Sequence, residues 1–160
     1  MPYLEDKKNG KSLKSIIEQV IDSDYKQIKS SEQFIFDWKE ERKNEVYKIY
    51  LLGQKEEILG VMSLIDYPEE YRIHLNLIEI QSKNQGKNKK IDRIAGCLIA
   101  FACELSFARG YYGFVSLQPK TRLINLYQDK YGFRQYGRLL GVEQSSSNFL
   151  IQKYLNNEDE

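Results

Sequence analysis

Gln81-Ser82-Lys83-Asn84-Gln85-Gly86-Lys87-Asn88-Lys89-Lys90 is a polar, glycine-bearing turn that contains no acid. Five of the chain's 24 lysines and arginines fall between Lys83 and Arg93, and the first carboxylate among them is Asp92. A basic turn in front of a helix combines cationic side chains, free backbone N–H groups and the positive end of the helix dipole. That combination suits a phosphate. Two groups that can exchange a proton below pH 7, Glu79 and His74, stand on the segment before it. Glu79 alternates with Ile78 and Ile80, so its carboxylate points to the face those side chains avoid, where it can act as a base directly or through water. His74, the chain's one histidine, lies earlier on the same segment, where a structural role is the ordinary one.

The elements that must position these groups follow from the pattern around them. Residues 71–80 are β-branched and apolar enough for a strand. Residues 91–105 place apolar side chains at 91, 94, 95, 98, 102 and 105, a helical stripe facing a sheet. Asp92 is the expected N-cap, with the helix starting at Arg93 and ending at Arg109-Gly110. Residues 113–117 close the unit as a second strand. Upstream, residues 46–52 and 58–65 form a hairpin that joins the 71–80 strand in a meander. Downstream, Pro119 stops the sheet, Thr121 caps a helix over 122–131, and Gly132 ends it. Strands are expected at 133–136 and 148–154, with a loop over 137–147. At the N-terminus, residues 1–10 read as a loose arm and 12–21 as a helix, from apolar residues at 13, 16, 17, 20 and 21. A short helix capped by Ser30 or Ser31 should follow, then a solvated charged stretch over 37–44. The order is ααβββαβαββ in a single domain spanning 1–160, with loose ends at 1–10 and 156–160. Such an α/β domain has a mixed, mostly antiparallel sheet flanked by helices.

Composition narrows the function classes. A hydrophobic fraction of 41% with 12% aromatics is globular. The net charge of +1 gives no support to wholesale nucleic-acid binding, which draws on a basic excess. Cys97 and Cys103 lie six apart in the apolar helix, a spacing for two buried thiols of a reducing compartment. With one histidine and no CxxC pair, no metal site is expected. No apolar run reaches membrane-spanning length and residues 1–10 are not signal-like, so the expected location is the cytoplasm.

The order of elements, with a basic turn between a central strand and a long helix, resembles the GCN5-related N-acetyltransferase (GNAT) superfamily over roughly residues 45–154. Leu77-Ile78-Glu79-Ile80 running into Asn84-Gln85-Gly86-Lys87 is similar to that family's fourth strand and the start of its Q/R-x-x-G-x-G/A pyrophosphate loop. Leu123-Ile124-Asn125-Leu126-Tyr127-Gln128-Asp129-Lys130-Tyr131-Gly132-Phe133 resembles its late tyrosine-bearing helix. The loop departs from the pattern. With Gln85 first, Asn88 and Lys90 stand where glycines belong; with Lys83 first, Gly86 fits and Asn88 takes the last place. A third phasing, Arg93-Ile94-Ala95-Gly96, lies inside the expected helix.

The resemblance implies an acyl-CoA N-acyltransferase fold with acetyl-CoA as co-substrate. It also implies direct acetyl transfer to a primary amine of a small molecule or protein. The implied cofactor-binding residues are Ile80 and Gln81 for the pantetheine arm and Gln85, Gly86, Lys87, Asn88, Lys89 and Lys90 for the diphosphate. The implied catalytic residues are Glu79 as base and Tyr127 as general acid, with Tyr131 the alternative acid because Tyr127 sits five residues before Gly132 rather than four. The helix-start asparagine of the family has no match; Lys120 or Thr121 stands nearby. A homodimer is compatible with the family, and a catalytically inactive CoA-binding or protein-interaction module is the alternative function.

Overall fold

A computed structural model describes residues 1–119 and 124–156. The chain starts as strand β1 (Tyr3–Asp6) and returns as β2 (Ser12–Gln19). Helix α1 (Asp22–Ser31) and a 3₁₀ turn (Trp38–Lys43) precede the meander of β3 (Glu45–Leu51), β4 (Gly60–Tyr67) and β5 (Arg72–Ile80). The basic loop and a two-residue strand β6 (Ile91–Asp92) lead into helix α2 (Ile94–Ala108). Then come β7 (Val115–Leu117), α3 (Ile124–Tyr131), β8 (Arg134–Tyr136), β9 (Leu139–Val142) and α4 (Gln144–Tyr154). The strands form one sheet in the order β6-β1-β2-β3-β4-β5-β7-β9-β8. It is mixed and mostly antiparallel, as expected, with β5 and β7 its parallel pair.

The two faces of the sheet carry separate cores. On one, α2 packs with Leu64, Ile73, Leu75 and Val115, and α4 lies against α2. On the other, Ile28 of α1 and Trp38 cover Val46, Ile58 and Val61. A buried ion pair fixes α1 there: Lys48 Nζ on β3 meets the Asp24 carboxylate at 2.9 Å. The Asp24 carboxylate also accepts the Ile21 N–H at 2.9 Å, closing the helix start.

Four expectations fail, each for a readable reason. Residues 1–10 are no loose arm: β1 pairs with β2 and β6, and Leu4 is fully buried. Residues 12–19 are a strand rather than a helix. Leu13 and Ile17 face the α2 core with Ser15 between them, and this small residue, hydrogen-bonded to the Pro2 carbonyl, hides the period-two pattern. The helix near Ser30 and Ser31 precedes them instead of following. Residues 144–154 form helix α4, which buries Ser147, Leu150, Ile151 and Tyr154 at helical spacing; β9 takes the place of part of the expected loop. The order is therefore ββαβββ, then β6, then αβαββα. Lys120, Thr121, the start of the expected helix at 122 and the tail beyond 156 lie outside the described residues.

Candidate functional site

β5 and β7 are paired for three residues only, Ile73–Leu75 against Val115–Leu117. β7 ends there while β5 runs on to Ile80. At the same point β5 bulges: Leu75 opposes Leu64 and Leu77 opposes Ser63, leaving Asn76 unpaired. Beyond Leu75, one edge of β5 therefore has no strand partner among the described residues, and a crevice opens between the two parallel strands. The Gln81 N–H donates to the Leu59 carbonyl at 2.9 Å. With antiparallel alternation, the polar backbone groups of Ile78 and Ile80 then face the crevice rather than β4.

At the mouth of this crevice stands the start of α2. Its first intrahelical bond runs from the Cys97 N–H to the Arg93 carbonyl, so the N–H groups of Ile94, Ala95 and Gly96 have no partner within the helix. A cavity of about 60 Å³ adjoins them, lined also by Ile80, Lys89, Lys130 and Tyr131. Asp92 does not cap the helix. Arg93 holds the N-cap position at φ 79°, a left-handed conformation that costs a non-glycine residue about 1 kcal/mol or more. Its guanidinium is sandwiched between Tyr3 and Tyr154 at 4.0 and 4.7 Å and donates to the Tyr3 and Lys153 carbonyls. Tyr154 can lie so close to α2 because residue 96 is glycine; a Cβ there would fall 2.2 Å from the tyrosine ring.

The basic loop is folded by Asn84, which the sequence reading passed over. Its buried amide oxygen accepts the N–H groups of Lys90 and Ile91, and its amide nitrogen donates to Gln81 at 2.5 Å. An asparagine inside a polar turn is the signal that marks such a role. Gln85, Gly86, Lys87, Asn88 and Lys90 are exposed, with Gly86 at φ 73°. Gln85 donates to the Ile80 carbonyl at 2.6 Å, so that carbonyl is already occupied. Lys89 pairs with Asp92 at 2.9 Å. Burial works upward on the Asp92 carboxyl, but the hydrogen bonds from Lys89 and the Arg93 N–H outweigh it and hold it below its usual value. Gln81 is turned away from the crevice: its backbone binds Leu59, and its buried side chain lies near Glu57 and the Ile58 carbonyl.

The expected catalytic groups have distinct surroundings. Glu79 is buried on the α1 face, where its carboxylate accepts the Ile35 N–H at 2.6 Å, the Trp38 indole N–H at 2.8 Å and the Phe36 N–H at 3.3 Å. His74 shares that face. Its Nδ1 lies 2.9 Å from Ser116 Oγ on β7 and 3.2 Å from Arg72, which itself donates to Ser116 Oγ at 2.7 Å. Burial, then the Arg72 charge, push the His74 pKa below its ordinary value. Tyr127 packs against Phe133 and Tyr131 with ring centroids 5.6 and 6.1 Å away. Burial raises its pKa, so its hydroxyl stays protonated. Tyr131 is buried against Tyr154 and lines the mouth cavity. Burial pushes Cys97 and Cys103 up to about 12, which removes both as thiolate nucleophiles.

No family model matches the sequence, and no curated protein does either. Solved structures do match. One is AtaTR bound with AcCoA, 15% identical, covering 86% of this chain and 98% of that chain at a TM-score of 0.56. A second is the spermidine/spermine N-acetyltransferase SpeG from Vibrio cholerae, 14% identical, covering 92% and 98% at 0.59. A third is Tetrahymena GCN5, 10% identical, covering 66% and 71% at 0.50. The chain has the GNAT fold. At the start of α2, Arg93 takes the left-handed conformation that a glycine would adopt more readily.

Proposed function

We propose that the protein is an acetyl-CoA-dependent N-acetyltransferase that transfers the acetyl group directly to an amine. The observation that carries this is the crevice: a bulged β5 parting from β7, with the N–H groups of α2 that have no partner within the helix at its mouth. The diphosphate of the coenzyme sits at the α2 start, met by Lys89, Lys90 and the loop from Gln85 to Asn88. The pantetheine arm follows the free edge of β5. Roughly twelve bonds separate the diphosphate oxygen from the sulfur, the backbone length of four extended residues or about 13 Å. The rise from Ile80 back to Asn76 is also about 13 Å at a strand's spacing. The thioester is then seated at the bulge, beside His74, while Glu79 is only one residue from the mouth.

His74 is accordingly the better-placed base. It takes the amine's proton at Nε2 in the tautomer whose Nδ1–H donates to Ser116 Oγ, with Arg72 donating to Ser116 rather than to Nδ1. Its lowered pKa keeps it neutral for that task. The amine attacks the thioester carbonyl, the Ile78 N–H receives the developing oxyanion, and collapse of the intermediate expels the CoA thiolate. Tyr127, one turn from the mouth-lining Tyr131, returns a proton to the sulfur. Glu79 holds the Ile35–Trp38 segment over the acceptor face. A cavity of about 820 Å³ adjoins that segment, with Lys26, Lys29, Lys39 and Arg42 against Asp22 and Asp37. This balance favours an amine that also carries an anionic group over a polyamine.

Titration calorimetry with acetyl-CoA tests the reading; no heat and no thermal shift at millimolar ligand would end it. A second reading, a CoA-binding module without turnover, is favoured by the carboxylate of Glu79 being fully engaged and by Arg93 at the left-handed start of α2. Binding of acetyl-CoA without thiol release across a panel of amino acids, amino sugars and peptides would select it.

A further inference from the structure

The crevice accounts for the arm and diphosphate of coenzyme A and leaves one charged surface unexplained. The β1–β2 hairpin tip, Lys7-Lys8-Asn9-Gly10-Lys11, docks on the basic loop, with the Lys7 N–H donating to the Lys90 carbonyl at 2.8 Å. β1 also pairs with β6 through Glu5–Asp92 and Asp6–Ile91, which holds the tip beside the start of α2. The turn is closed by bonds between Asp6 and both Gly10 and Lys11. The Asp6 and Asn9 side chains accept the N–H groups of Lys8 and Lys11. Lys7, Lys8, Lys11, Lys87 and Lys90 are all exposed, and none enters an ion pair among the described residues. Among the acids nearby, Asp92 is taken by Lys89, Asp6 is engaged by the turn, and Glu5 stands opposite Asp92 on β1. Like charges gathered from two distant segments repel one another unless an anion lies among them.

We propose that the hairpin tip, through Lys7, Lys8 and Lys11, binds the 3′-phosphate of coenzyme A. The proposal rests on the crevice being the coenzyme site. With the thioester at the bulge and the diphosphate at α2, the adenosine end must leave through the mouth, and the hairpin tip stands there. A phosphomonoester carries nearly two negative charges at neutral pH and three strong acceptor oxygens. Flexible ammonium groups meet such a group as point charges.

The test compares coenzyme A with dephospho-coenzyme A, which lacks only that phosphate, by calorimetry. Wild-type protein should bind coenzyme A more tightly by on the order of tenfold. Combined Lys7→Ala, Lys8→Ala and Lys11→Ala should bring the ratio to about one and leave dephospho-coenzyme A unaffected. The tip is exposed, so circular dichroism should show an unchanged fold; Lys87→Ala with Lys90→Ala, on the diphosphate both ligands share, should weaken both and leave the ratio unchanged. Equal wild-type affinities, or a ratio that survives the triple substitution, overturn the assignment and leave the crevice reading standing. Failure of both ligands to bind overturns the two together. A ratio of one, with RNA-hairpin binding that the triple substitution abolishes, overturns it in favour of a nucleic-acid surface.

Discussion

Glu79 offers the sharpest separation of a structural carboxylate from a catalytic one. Both of its oxygens are occupied, one by the Ile35 N–H and the other by the Trp38 indole and the Phe36 N–H. Hydrogen bonds to a charged acceptor contribute about 1.5–3 kcal/mol each. Glu79→Gln turns one oxygen into a donor facing a donor, so it should lose at least one such bond and cost about 2–3 kcal/mol. Glu79→Ala strands all three donors and should cost about 3–5 kcal/mol, a large share of a domain's 5–15 kcal/mol stability. Trp38 is the chain's one tryptophan, so its fluorescence reports on this contact without interference. In urea, the Glu79→Gln protein should show a red-shifted Trp38 emission before the backbone melts by circular dichroism, because the Ile35–Trp38 segment opens first. Acetyl transfer should fall mainly through a raised KM for the amine. A Glu79→Gln protein with native emission, stability within about 0.5 kcal/mol of wild type and kcat reduced a hundredfold would refute the clasp and restore Glu79 as the base.

Other groups give equally separable outcomes. The His74 imidazole, the chain's one histidine, should titrate below 6.5 by NMR. Because its folded pKa lies below the unfolded one, it should make the protein lose stability as pH falls from about 6.5 through the folded value. His74→Gln should erase both that slope and the acid limb of kcat/KM while leaving acetyl-CoA affinity intact; an unchanged limb would exclude it as the base. Asp92→Asn should tighten CoA binding about threefold, since it removes a carboxylate from the helix start and frees Lys89; weaker binding would place the diphosphate elsewhere. Gly96→Ala should destabilise by about 1–3 kcal/mol through overlap with the Tyr154 ring, and adding Tyr154→Ala should recover part of the Gly96→Ala loss.

The meander from β3 to β5, the basic loop and α2 were legible because their signals are local: β-branched runs, polar turns and an apolar stripe bounded by Gly110. The misread elements depend on partners. Ser15 breaks an alternation that exists only once β2 lies between β1 and β3, and the spacing of Ser147, Leu150, Ile151 and Tyr154 marks a buried face only once α4 lies against α2. The site divides the same way. A phosphate-seeking loop can be read from its lysines, whereas the donors on Glu79 lie more than forty residues away in sequence. Arg93 shows why the loop motif itself was hard to phase. A side chain at a left-handed helix start is unfavourable on local grounds, and only glycine would be expected. Here Tyr3 of β1 and Tyr154 of α4 stack on the guanidinium, and the Tyr3 and Lys153 carbonyls bind it. The left-handed start of α2 and the two terminal elements β1 and α4 thus depend on one another. β1 and α4 supply the contacts that hold Arg93 in a conformation its own sequence neighbourhood disfavours. The same β1 carries the hairpin lysines to the mouth of the crevice.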